Sequence, residues 1–240
     1  MPNTLPRDYE TYVRLVPQIA TLSELADATL RAVASTGFDT IQVGTFPTVG
    51  DADKAQFHFG NWPAAWMELY LSKFVHVDPL PEEVRLRFVP FTWTELLARQ
   101  PLMPEAQEVM DTVNAWGWSE GFVVPIHGPG SFIGIVSYCG HEVPPVDALT
   151  RALLASIGHL AFARGYELQT GPDQAGVPAL TAAEQRVMRM VAAGSTDAEV
   201  AEILRIAPTT ARFHVDAVKR KLRVRTRSEA TAAVVRLGLI

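Results

Sequence analysis

Residues 207–223 read APTTARFHVDAVKRKLR, and the fold of the chain turns on how this stretch is read. Ala211, Val215, Val218 and Leu222 stand at i, i+4, i+7 and i+11, the spacing that lines them up as one apolar stripe on a helix. Arg212, Asp216, Lys219, Arg220, Lys221 and Arg223 fall away from that stripe. Pro208 suits the first helical position, whereas Ala207 before it has no side chain that can cap. Upstream, Asp197–Leu204 reads as a shorter helix with Val200, Ala201 and Leu204 inward, followed by a tight connection at Arg205 and Ile206. A short helix, a turn and a basic helix is the arrangement that lays a second helix into the DNA major groove. A surface helix with a solvated basic face carries the same pattern, so the flanking sequence has to decide.

It decides for DNA. Thr181 and Glu184 form a capping-box pair that opens a helix with Val187, Met188 and Val191 inward, and Gly194 fits a left-handed stop. Thr226 and Glu229 form a second such pair, opening a final helix with Ala230, Ala233, Val234 and Leu237 inward. Four short helices in about sixty residues can fold as an independent domain. This segment resembles the DNA-binding domain of LuxR-type regulators. The match runs from Leu180 through Glu184, Gly194, Val200, Ala201, Thr209, Thr210, Lys221, Leu222 and Arg227 to Ala230. Departures are Ala207 where the family has Ser, Ala211 where it has Val, and Met188 where it has Leu. On helix position, Thr209, Thr210, Arg212, Phe213 and Asp216 are expected at base edges, and Arg212 also matches a base-reading position of the family. Lys219, Arg220 and Lys221 are expected at phosphates, where the helix leaves the groove.

At 240 residues the chain is long enough for one large and one small domain. The formal net charge of −5 hides a split. Residues 1–176 carry 10 Lys and Arg against 20 Asp and Glu, and residues 177–240 carry 11 against 6. An acidic body with a basic tail confines nucleic-acid contact to the C-terminal part. Cys139 stands alone, which excludes an internal disulfide and suits a reducing compartment. No signal peptide or spanning apolar segment is visible, so a soluble, cytoplasmic protein without membrane contact is expected.

Taken in order, residues 9–34 show helical periodicity with Val13, Val16, Ile19, Ala20, Leu22, Leu25, Ala26 and Leu30 inward, and with Pro17 as a break. Strands are expected over 39–44 and 54–59, and a helix over 61–74. Helical turns follow over 84–87 and 93–100, then a helix over 104–116. Residues 121–126 and 132–139 read as a hairpin about His127, Gly128, Pro129 and Gly130. A long helix spans 146–169, its apolar residues more than one inward face requires. The expected fold class is α+β: an α-β-α sandwich ligand-binding domain over 1–169, a linker over 170–176, and a four-helix, all-α helix-turn-helix domain over 177–240.

Trp62, Trp66 and Tyr70 stand at i, i+4 and i+8 on one helix face, followed by Asp78, Trp93, Gly121 and Ser137. Aromatic stripes are usually core. Trp and Tyr, however, carry polar tips that need partners when buried, and Asp78 amid Phe74, Val75, Val77 and Leu80 is costly to bury without a donor. A ligand offering an N–H and carbonyl oxygens satisfies all of them. The pattern resembles the acyl-homoserine-lactone-binding domain of LuxR-type quorum-sensing regulators. That resemblance implies that Trp66 donates to the lactone carbonyl, Tyr70 bonds the acyl carbonyl and Asp78 accepts from the amide N–H. It further implies that Trp93 packs on the lactone ring, Gly121 leaves room beside the ligand, and Ser137 offers a hydroxyl. Trp62 stands where relatives often have Tyr, so its indole N–H replaces a phenol.

Other classes fit less well. There is no G-x-S-x-G elbow, phosphate-binding glycine loop or H-E-x-x-H, and the six histidines never stand at metal-ligand spacing. A phosphorylation-driven response regulator needs an ordered set of acidic residues and a Lys that residues 36–140 lack. The expectation is a quorum-sensing transcriptional regulator with no catalytic, metal or cofactor site. Its partners are an N-acyl-homoserine lactone as effector, double-stranded operator DNA, a second copy of the chain, and RNA polymerase as a further candidate. The same fold answering a different acyl or aryl molecule, or acting without ligand, is the alternative.

Overall fold

The computed structural model describes residues 7–46, 56–99, 101–128, 132–170 and 180–240. All of the expected linker except Thr170, and the centre of the expected hairpin turn, lie outside these residues. The chain divides into two compact units.

The larger unit is a five-stranded antiparallel sheet, β1 (Thr40–Phe46), β2 (Gln56–Gly60), β3 (Phe91–Thr92), β4 (Glu120–His127) and β5 (Ile133–Gly140), in the order β2-β1-β5-β4-β3. Every residue of β5 is buried, so both faces of the sheet are covered at its centre. Side chains alternate across a strand, which splits β5 into two roles. Val136 and Tyr138 face α7 (Ala148–Thr170), where the Tyr138 hydroxyl donates to the Leu154 carbonyl at 3.2 Å. Ile135, Ser137 and Cys139 face the opposite layer. On the α7 side also lie α1 (Arg7–Leu15) and α2 (Leu22–Val33). The N-terminal helical stretch is broken at Pro17, the expected break, by a turn over Val16–Gln18. The second helix starts at its own capping box, Thr21 with Glu24. Val13 and Ala20, expected inward, are exposed: Tyr12, Val16 and Ile19 are the buried residues of this stretch, and Ala20 lies in the connection between the helices.

The opposite face carries α3 (Ala64–Leu69), α4 (Pro79–Leu86), α5 (Trp93–Arg99) and α6 (Pro104–Ala115). A π turn over Tyr70–Phe74 continues α3, closed by the Val75 N–H to the Tyr70 carbonyl at 2.9 Å. Helix α4 begins earlier than the expected turn at 84–87 because Asp78 caps it and Pro79 occupies its first position. Arg151 of α7 reaches Glu95 of α5 at 2.5 Å and the Pro90 carbonyl at 2.9 Å, tying the two layers at the sheet edge.

The smaller unit comprises α8 (Ala182–Ala192), α9 (Asp197–Leu204), α10 (Pro208–Leu222) and α11 (Arg227–Arg236). Val187, Met188, Val200, Ala211, Val215, Val218 and Val234 pack as its core. Both expected capping boxes form, and a third, Thr196 with Glu199, opens α9. Gly194 ends α8 at φ +98°, and Arg205 makes the left-handed connection between α9 and α10 at φ 53°. Leu237, expected inward, is the half-buried residue that closes α11.

Lys221 is not the free phosphate contact that its place on the basic helix suggests. Its ammonium lies 2.6 Å from Glu184, a buried carboxylate that also accepts from the Thr181 N–H at 2.7 Å. Burial alone would raise the Glu184 carboxyl, but Lys221 and the Thr181 cap together hold it below its usual value. A lowered folded-state pKa contributes stability above the unfolded value that is lost as pH falls through the folded one. Lys221→Met should therefore destabilise the protein by about 1–2 kcal/mol at neutral pH, allowing for the half-exposed lysine. In denaturant titrations the gap from wild type should shrink below about pH 4.5.

Candidate functional site

A cavity lies between the sheet and the α3–α6 layer. Six of the seven expected ligand residues, Trp62, Trp66, Tyr70, Asp78, Trp93 and Ser137, line it. Trp66 lies on α3 and Tyr70 opens the π turn four residues on, whereas Trp62, expected on the same helix, precedes it because Pro63 is the N-cap of α3. Their rings touch in series, with Trp62 and Tyr70 centroids 5.1 Å apart and Trp66 and Tyr70 6.3 Å apart. Phe57 of β2 stands edge-on to Tyr70 at 5.8 Å and beside Trp62 at 5.7 Å. Ser137 projects from β5 opposite Gln42 of β1, another lining residue.

Gly121 does not line the cavity. A Cβ there would sit 2.1 Å from the Trp93 indole, so the glycine makes room for Trp93 and acts on the cavity only through that ring.

The polar groups of this apolar chamber are unevenly satisfied. The indole N–H groups of Trp62, Trp66, Trp93 and Trp118 are buried with no hydrogen-bond partner among the described residues. That of Trp62 faces the Cys139 sulfur, a weak acceptor. Burial, together with Asp39, pushes the Cys139 thiol up, so it stays protonated. An unmade hydrogen bond at a buried donor costs about 1–3 kcal/mol, which makes the chamber a set of donors awaiting acceptors.

Asp78 is better served than its apolar neighbours in sequence suggest. One carboxylate oxygen accepts from the Tyr70 hydroxyl at 2.6 Å and the other from the Leu80 N–H at 2.9 Å. The protein itself thus supplies the donors that the sequence pattern assigns to a ligand. Burial still outweighs both bonds and raises the Asp78 carboxyl above its usual value. Burial and the neighbouring carboxylate push the Tyr70 phenol well up, so it remains a proton donor. Its one proton is committed to Asp78.

Sequence reasoning missed Trp118, Met110 and Val113, which close the cavity from α6 and the turn after it. Met110 and Val113 lie on the buried stripe of α6, a signal the periodicity carries. Trp118 lies beyond the helix, where no repeat points to it.

On the smaller unit, Thr209, Thr210, Arg212 and Phe213 are exposed on the first turns of α10, opposite its buried Ala211, Val215 and Val218. Arg220 is exposed and its guanidinium lies 5.9 Å from the Phe213 ring centre. Asp216 and Lys219, both half-buried, pair at 3.0 Å. The bond from Lys219 draws the Asp216 carboxyl below its usual value, so it is ionised at neutral pH. All eight expected DNA-binding residues, Lys221 included, therefore belong to one helix, on which Asp216 pairs with Lys219 and Arg220 lies over Phe213.

Among the described residues no helix is long and apolar enough to cross a membrane. Residues 21–164 match the autoinducer binding domain, and residues 178–234 match the domain described as bacterial regulatory proteins, luxR family. The chain is 31% identical over 207 residues to the transcriptional activator protein BjaR1 of Bradyrhizobium diazoefficiens, covering 85% of this chain and 84% of that one. It is 30% identical over 211 residues to the quorum sensing-dependent transcriptional regulator RpaR of Rhodopseudomonas palustris, covering 87% and 85%. Among solved structures it superposes on Escherichia coli SdiA with a TM-score of 0.73 at 22% identity, covering 97% of both chains, a likeness of fold. The relatives are transcriptional regulators rather than enzymes. The chain belongs to the LuxR family of bacterial regulatory proteins, as a quorum-sensing transcriptional regulator that joins an autoinducer-binding domain to a DNA-binding helix-turn-helix domain.

Proposed function

We propose that the protein binds an N-acyl-homoserine lactone in the cavity of its larger unit and operator DNA, as a homodimer in the cytoplasm, through α10. In this reading residues 1–169 bind ligand and dimerise, 170–176 link, and 177–240 bind DNA, with RNA polymerase as a further candidate partner of the chain. The observation that carries the ligand class is the cavity's chemistry: buried indole donors without acceptors, beside the Asp78 carboxylate that accepts from Tyr70 and Leu80. An acyl-homoserine lactone has carbonyl oxygens for the former and an amide N–H for the latter.

Trp66 donates to the lactone carbonyl, and Trp93, with Gly121 behind it, forms the wall on which the ring packs. Asp78 accepts the amide N–H. Tyr70 then turns its single proton from Asp78 to the acyl carbonyl, so the ligand replaces an internal bond with two of its own. Ser137 offers its hydroxyl from the sheet. Phe46, Phe57 and Trp62, with Leu80, leave largely aromatic walls around the remaining space, which favours a short, branched or aryl acyl group. Mass spectrometry of small molecules released from the purified chain tests the reading. An acyl-lactone mass supports it, and a different acyl compound in stoichiometric amount replaces it.

Asp78→Asn keeps the volume and the α4 cap but loses the charge, and should weaken lactone binding by roughly tenfold to a hundredfold while the fold persists. The ligand N–H favours ionised Asp78, whose carboxyl is raised in the free protein. Affinity should therefore fall as pH drops through that raised value, with protons released on binding. The free unit goes the other way, its Asp78 contribution being present at acid pH and lost as pH rises through the folded pKa. Calorimetry in buffers of different ionisation heat reads the proton directly, and the Asn variant should show no such release.

Helix α7 buries Leu154, Ile157, Ala161 and Phe162, while Leu149, Leu153 and Leu160 form a second, part-exposed stripe. Leu153→Asp should yield monomers that still bind ligand. A variant that sediments as a dimer would move the interface elsewhere, such as to α11.

Arg212→Ala should cost about 1–3 kcal/mol on the true operator and relax preference at one base pair per half-site. Lys219→Ala should weaken all sequences alike and reduce the salt dependence by about one unit for each phosphate left without its lysine. Titration against an operator library at several salt concentrations separates the two, and an unchanged preference in Arg212→Ala makes that residue a backbone contact.

A further inference from the structure

We infer that Trp118 is a second hydrogen-bond donor to the ligand head group, sharing with Trp66 the same ring carbonyl oxygen. The inference rests on the lactone reading above and assigns a residue that reading leaves without a role.

Trp118 is 3% exposed and lines the cavity, yet its indole N–H has no partner among the described residues. Its ring centre lies 5.3 Å from that of Trp66, with the two planes at 83°. Trp66 is equally buried, at 2%, and its N–H is equally unpartnered. Two perpendicular indoles in contact, both from residues that line one chamber and each with an unmatched N–H, suit a single carbonyl oxygen with its two lone pairs. Packing alone does not account for a tryptophan here. A phenyl ring would fill most of the same apolar space without burying a donor, and the missing bond costs about 1–3 kcal/mol. Trp116 supplies the contrast. It stacks on Trp118 at 6.1 Å and 18° and touches Trp66 at 5.5 Å, but it is only partly buried and does not line the cavity. Neighbouring tryptophans thus divide the work, one packing and one facing the chamber.

The consequence is selectivity for the oxygen of the head group. A ligand with a ring but no ring carbonyl leaves both of these buried donors unmatched, where a lactone leaves neither.

The test crosses protein and ligand changes. Full-length wild type, Trp118→Phe and Trp116→Phe are titrated with N-butanoyl-, N-octanoyl- and N-phenylacetyl-L-homoserine lactone. Each is also titrated with the same acyl group on cyclopentylamine, which keeps a five-membered ring and removes both ring oxygens. Trp118→Phe should weaken the lactones by roughly five- to twentyfold and leave the cyclopentyl amides within about twofold, and Trp116→Phe should not discriminate. Equal loss for both ligand types, or no loss for either, overturns the inference. Indole nitrogen-15 spectra of wild type give an answer that needs no folded variant. The Trp118 proton should move downfield with lactone and not with the amide, and a proton that stays in place with lactone overturns the inference. If wild type binds none of the three lactones, the lactone reading falls first and this inference with it. If it binds them without using Trp118, only this inference falls.

Discussion

The ligand-side layer of the larger unit depends on one part-buried carboxylate that joins two consecutive elements. Asp78 accepts from Tyr70, at the start of the π turn, and caps α4 through the Leu80 N–H. The wider π turn brings Asp78 back over Tyr70 only eight residues later, and Pro79 at the first position of α4 fixes the chain's exit. Without those two bonds burial would raise the Asp78 carboxyl further and favour its neutral form. The same bonds set the cavity's reactivity, because they fix where the phenolic proton points before any ligand arrives.

Around that carboxylate the cavity inverts the usual rule of a core. Buried aromatic rings each contribute about 2–3 kcal/mol through removal of apolar surface, which gives this layer its stability. Their unmatched N–H groups take part of that away. The free domain is therefore well packed and polar-deficient at once, and a ligand that supplies oxygens stabilises it by mass action in addition to filling space.

The helical unit is legible in the sequence almost in full, because its signals are local: an apolar stripe at 211, 215, 218 and 222, and capping pairs at both ends. Its surprises are side-chain partnerships across the fold, such as Lys221 with Glu184, which no spacing reveals. In the larger unit the strands and the Trp62–Trp66–Tyr70 stripe are legible for the same reason. The two-residue β3 is too short to show alternation, and the start of α4 is written in Asp78 and Pro79, a cap signal that reads as readily for chemistry as for structure. Gly121 matches a position beside the ligand, yet its neighbour is Trp93, since a glycine's identity says that space is needed and not for what. Trp118 is invisible to periodicity because it follows the last turn of α6, and only the folded chain places it at the chamber.

The alternation along β5 has an evolutionary reading. Ile135, Ser137 and Cys139 face the chamber, whereas Val136 and Tyr138 face α7. Substitutions in the first set change the lining of the chamber while leaving the side of the strand that packs on α7 untouched. A single-residue insertion in this strand would exchange the two sets and destroy both surfaces together. Drift by substitution is open to the strand, and drift in length is closed.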